Sequence, residues 1–72
     1  LRLDADAHVG ADVCGAAGSR VRSVFKGPMR MGFQRFHWDG KDDRGRAAAS
    51  GVYFFRVEAG GETQSRKVVL MR

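Results

Sequence analysis

Residues 36–60 read FHWDGKDDRGRAAASGVYFFRVEAG, and this stretch decides the fold. At its start, Phe36 and Trp38 alternate with His37, the two-residue period of a strand. At its end, residues 52–57 carry the strongest strand pattern in the chain. Tyr53, Phe55 and Val57 share one face, and Val52 and Phe54 share the other. Apolar residues on both faces predict an internal strand or a second buried surface. Between the two patterns lies a polar loop of Asp, Gly and Arg. Asp39, Asp42 and Asp43 are candidate oxygen ligands for a hard cation. A calcium loop of the EF-hand type needs carboxylates at alternating positions and a distant bidentate Glu. The spacing here differs, and Arg44 and Arg46 place positive charge where the cation would sit. Asp side chains also bond to nearby backbone, and Gly40 and Gly45 allow positive φ. The loop is therefore read as a turn between two core strands, with no metal.

The same pattern extends outward in both directions. Leu1 and Leu3 alternate before DADA interrupts them. Val9, Ala11 and Val13 alternate with His8, Gly10 and Asp12 on the other face. CGAAGSR follows as a Gly-bounded turn, and Val21, Val24 and Phe25 mark a third strand. KGPMRMG reads as a connection with Gly27-Pro28 as its breaker, and Phe36 and Trp38 as a fourth strand. After the fifth strand, EAGGET is a hairpin turn in which Gly60-Gly61 supplies positive φ. Residues 65–71 form the last strand. No segment has a helical period. Short strands joined by Gly-rich turns predict an all-β fold, a small antiparallel immunoglobulin-like β-sandwich of about six to seven strands.

The chain has 72 residues, enough for one domain, residues 1–72. A domain of this size buries roughly 60% of the surface its unfolded chain exposes. A deep substrate pocket would compete with so thin a core, which argues against an enzyme. Thirteen Lys and Arg face eight Asp and Glu, for a net charge of +5. The densest basic stretch is Arg20, Arg22, Lys26, Arg30 and Arg35. Such a stretch can bind polyanions. Here carboxylates interleave along the chain, so it is read as solvated strand faces, and nucleic acid is not the expected partner. Cys14 is the single cysteine, so no internal disulfide forms. No apolar run approaches the ~20 residues of a membrane-spanning helix. The chain opens on Leu1 in a strand-like pattern, and it is expected to be the C-terminal piece of a longer protein.

The second half of the chain resembles the FlgD immunoglobulin-like family, which overlaps with the type A C-terminal sorting domains of type IX secretion. The residues that carry the resemblance are Trp38-Asp39-Gly40, Asp42-Asp43, Gly45, Ser50-Gly51-Val52-Tyr53, Gly60-Gly61 and Arg66-Lys67-Val68-Val69-Leu70. In the first half, DVCGAAGSRVRSV is similar to the family's Val-Tyr-Asp-x-x-Gly-x-x-Val stretch, with Cys14 where Tyr is usual. The Asn-Pro-Phe-Asn-Pro segment that often opens such domains does not occur. The resemblance implies a small immunoglobulin-like sandwich at the C-terminal end of a larger bacterial protein. It implies either a secretion-sorting or surface-attachment module that leaves the cell through the periplasm, or a structural domain of a filament or flagellar hook cap. The implied partners are secretion or surface-assembly proteins, or further copies of the same chain, met by Gly51–Val57 and by the strand Arg66 to Leu70.

The remaining candidates have plain readings. Trp38 is expected in the core rather than as an exposed stacking platform for sugars. Tyr53 is expected to donate its hydroxyl to a carbonyl of the loop. His8 and His37 lack Cys or carboxylates at ligand spacing and are expected on exposed positions. Cys14 has no base or orienting group nearby in sequence and is expected as a packed small residue. Ser19, Ser23, Ser50 and Ser65 sit in no nucleophile-elbow context. Met29 and Met31 are expected to fill gaps at the sandwich end. No catalytic, cofactor or metal residue is assigned.

Overall fold

Val9, Ala11 and Val13 alternate along one strand, and all three are fully buried. The rest of the fold is arranged around this row. The structure, a computed structural model, describes residues 2–33 and 35–71. The elements are β1 (Arg2–Leu3), β2 (Ala7–Gly15), β3 (Arg20–Met29), β4 (Gly32–Phe33), β5 (Gly51–Ala59) and β6 (Glu62–Leu70). Four of them form an antiparallel sheet in the order β3-β2-β5-β6, and β1 pairs with β4 in a second, two-stranded antiparallel sheet. Among the described residues there is no helix. The fold is all-β, a small immunoglobulin-like sandwich. Nine-residue strands at ~3.3 Å per residue reach about 30 Å. They set the long axis of a molecule measuring 36 × 19 × 18 Å.

Cross-strand partners share a face, so register fixes the inner surface. Val9, Ala11 and Val13 stand opposite Ala59, Val57 and Phe55 of β5. On the other side Val9 faces Gly27, and Ala11 faces Phe25 of β3. The central row is small, and its flanks carry aromatic rings. Phe36 fills the space between them. Its ring centroid lies 6.1 Å from that of Phe25 and 6.0 Å from that of Phe55. Trp38 follows, with its ring edge-on to Tyr53 at 5.0 Å. The hairpin between β5 and β6 turns at Gly60 and Gly61, with φ of 57° and 81°. Both angles lie in the left-handed region that side chains rarely adopt, which is why the two-residue turn carries glycine twice.

Four expectations need correction. Gly27-Pro28 does not break the third strand: β3 continues through Pro28, which pairs with His8, to Met29. An edge strand tolerates proline because one side of it has no ladder to donate to. Phe36 and Trp38 do not form the fourth strand, since neither lies in a strand. The fourth strand is Gly32–Phe33, paired with β1. The alternation of Phe36 and Trp38 records which side chains face the sheet, and a chain can face a sheet without joining its ladder. Met31 does not fill a gap; it is 65% exposed, while Met29 is half-buried. Leu1 of the expected first strand lies outside the described residues. The last strand begins at Glu62, earlier than the sequence pattern suggests, because the ladder with β5 runs to Ala59↔Glu62.

Among the described residues Phe36 is the one ring in contact with both Phe25 and Phe55, so its loss opens the space between them. Phe36→Ala is expected to cost about 2–3 kcal/mol, somewhat below the range for fully buried Phe, because the side chain is half-exposed. Equilibrium urea unfolding measures it, with Phe33→Ala, at an 83% exposed position, as the near-neutral control.

Candidate functional site: the two sheet edges

The four-stranded sheet has two edges, β3 and β6, and the chain treats them differently. β3 is irregular. Its register with β2 shifts twice, leaving Val24 and Val21 as extra residues opposite no partner. Such bulges twist a strand and leave backbone groups outside the ladder. The Asp-rich loop supplies partners for them. The Asp43 N–H donates to the Val21 carbonyl at 2.9 Å, and the Ser23 N–H donates to Asp43 Oδ1 at 2.8 Å. Arg20 Nε lies 3.3 Å from Asp43 Oδ2, and Arg22 Nη1 donates to the Asp42 carbonyl at 2.8 Å. The loop therefore lies along β3 and holds it through both backbone and side chains.

The loop is itself a small hairpin. The Asp42 N–H donates to the Arg46 carbonyl, the Ala48 N–H donates to the Gly40 carbonyl, and Lys41 bridges Ala47. Asp42 Oδ1 accepts from the N–H groups of Arg44 and Arg46, both at 2.9 Å. Asp39 Oδ1 accepts from the Lys41 N–H at 3.0 Å. Each carboxylate thus closes a local turn, and Gly45, at φ 79°, makes the tightest of them. Among the described residues no three His, Cys, Asp or Glu side chains converge on a common point. Above the loop, Trp38 Nε1 donates to the Lys41 carbonyl at 2.8 Å. Below it, the Tyr53 hydroxyl donates to the Ala49 carbonyl. Ser50 and Gly51 lead from there into β5. Trp38 and Phe36 are half-buried and engaged with other rings, so neither is an open stacking platform. His8 and His37 are exposed, and Cys14 is packed, as the sequence suggests.

β6 is the opposite case. It pairs with β5 along nine positions, and among the described residues no other strand pairs with it. Only Val68 and Leu70 are half-buried; Arg66, Lys67 and Val69 are exposed, Val69 by 56%. Its free side is a row of backbone donors and acceptors with no partner strand. On the outer face, Val52 and Val69 stand opposite each other and are 43% and 56% exposed, beside half-buried Phe54.

A family model, the FlgD Ig-like domain, matches residues 1–63. The chain belongs to the FlgD Ig-like domain family. The match spans β1 to β5 and the hairpin, and it ends before Arg66. No curated protein and no solved structure matches the chain.

The link from Asp43 to β3 was not visible in the sequence. It joins residues 20 positions apart, and the bulges that create the need for it leave no period to read. The Asp residues together with Gly40 and Gly45 did signal the local turn.

The Asp42 carboxyl sits below its ordinary value of 3.8. The bond from the Arg46 N–H is the largest cause, helped by the Arg44 N–H and by the two guanidinium charges, and opposed by desolvation. A depressed folded-state pKa means that the unfolded chain binds the proton more readily. Asp42 therefore adds stability that is complete above pH 3.8 and disappears as pH falls through the lower folded value. Asp42→Asn, which keeps an acceptor but cannot titrate, is expected to flatten the acid limb of a thermal-midpoint profile below that pH. Asp43→Ala is expected to lower the thermal midpoint at neutral pH and to expose the Ser23 amide to hydrogen exchange.

Proposed function

We propose that this chain is a non-catalytic structural module of a secreted or cell-surface bacterial assembly, and that it joins its neighbours by strand addition at β6. The observation that carries this reading is the inequality of the two edges. The Asp43 loop covers β3 at residues 20–23, and the bulge at Val24 and Pro28 interrupt the rest of that edge, while β6 is long, regular and, among the described residues, unpaired on its outer side. An exposed strand of this kind is a template for main-chain pairing with another protein. Membership in a family named for FlgD supports an assembly role. The residues that would carry it are Arg66, Lys67, Val68, Val69 and Leu70. They provide shape and backbone rather than chemistry. Secretion sorting through the same strand is the second reading, and membership in the FlgD Ig-like family supports it less than it supports an assembly role.

Cross-linking separates the two. A photo-activated cross-linking residue replaces Ser65 of β6, or Lys26 of β3, in the protein made by its native cells. A product joining residue 65 to another protein of the same extracellular assembly, with none from residue 26, is the expected result. Equal products from both positions, or none from either, would overturn strand addition. Export of a reporter fusion that depends on residues 65–72, without any cross-link, would put sorting in its place.

A further inference from the structure

The inner side of β6 borders an open groove of about 680 Å³. Phe36, Phe55 and Val57 form its apolar wall, and Arg2, Arg35 and Arg66 bring three guanidinium groups to it. Among the described residues no carboxylate lines it. Arg2 lies 3.5 Å from Asp4, in a pair that is largely solvent-exposed and therefore weak. Among the described residues Arg35 and Arg66 have no carboxylate within ion-pair distance. Arg66 stands opposite Phe55 in the ladder, so it points to the inner face; its neighbour Lys67 stands opposite Phe54 and points to the outer face. The middle of the free edge thus presents one cation on each face, with Val68, Val69 and Leu70 following.

This arrangement selects among possible strands. Full-length antiparallel pairing with β6 of a second copy would set Arg66 against Arg66 and Glu62 against Leu70. In-register parallel pairing also brings the same cations together. Like charges directly opposite each other are destabilising in a sheet. A strand with two adjacent carboxylates meets the edge better: one faces Lys67, and the other faces Arg66 and enters the groove that Arg35 also lines. Apolar β-branched residues on one side of the pair match Val68 and Val69, and polar ones on the other side match Gln64 and Ser65.

We infer that the natural occupant of the β6 edge is an extended segment of a different protein, carrying an adjacent pair of acidic residues with apolar β-branched residues on one side and polar ones on the other. This rests on the strand-addition reading above and names its partner by chemistry. The acidic pair supplies selectivity, the main-chain ladder supplies most of the contact, and affinity falls as salt screens the exposed charges.

A synthetic peptide with two adjacent glutamates centred among valines and threonines is the probe. It is titrated onto the domain, with amide exchange of β6 recorded in parallel. The controls are the same peptide with two lysines, the two-glutamate peptide interrupted by proline, and heparin. The two-glutamate peptide is expected to bind at least about tenfold more tightly than either peptide control and to slow the outward amides of β6. Arg66→Glu and Arg35→Glu are each expected to weaken it severalfold, and together by about tenfold or more, at an unchanged thermal midpoint. Equal binding of the proline-interrupted peptide or heparin at the same residues would overturn the inference in favour of a general polyanion surface. Equal protection of β6 by the two-lysine peptide would leave edge pairing standing and remove the acidic preference. If no peptide protects β6, strand addition itself fails, and the inference falls with it.

Discussion

The contact of Phe36 with Phe25 and Phe55 is the constraint on which the rest of this structure depends. The sheet's inner row, Val9, Ala11 and Val13, is too small to fill its own surface. The rings that flank it, on β3 and β5, leave a channel, and Phe36 closes the channel from above. Among the described residues, 35–38 join no strand ladder, and the ring contacts of Phe36 attach them to the sheet. A domain this small has little other apolar surface with which to hold a second layer.

Once Phe36 is placed, Trp38 falls against Tyr53, and the loop that follows is aimed at β3. There Asp43 satisfies backbone that the bulges at Val21 and Val24 leave outside the ladder. The chain's own loop thereby closes that edge at residues 20–23. At the far edge β6 keeps its outer backbone groups available and carries Arg66 and Lys67 at its centre. Proteins use charges on edge strands to discourage indiscriminate pairing. Two cations, one on each face, discourage copies of the same strand while leaving the edge open to an acidic one. The route from sequence to function thus passes through packing: an aromatic wedge orients a loop, and the loop decides which edge is free.

Most of the architecture was legible in the sequence because it depends on local alternation. β2, β5 and the Gly60-Gly61 hairpin follow directly from period two and from the need for positive φ. The all-β fold followed from the same residues; the FlgD-like resemblance rested on motifs such as Trp38-Asp39-Gly40 and Ser50-Gly51-Val52-Tyr53, and the match over residues 1–63 bears it out. The segment around Phe36 was misread because alternation reports facing, and a ladder requires a partner that alternation does not name. Pro28 was misread as a breaker because edge position, which makes it harmless, is a property of topology. The Asp-rich turn was legible as a turn. Its attachment to β3 was not, since that requires knowing where the bulges fall.

Residue-resolved amide exchange of the isolated domain tests the unequal edges most directly. The Ser23 amide, bonded to Asp43, should exchange slowly, at a rate close to that of the β2 ladder. The β6 amides that point away from β5 should exchange nearly as fast as unstructured chain. Rapid exchange at Ser23, or slow exchange along the outer side of β6 in a monomeric sample, would contradict the picture of one closed and one open edge.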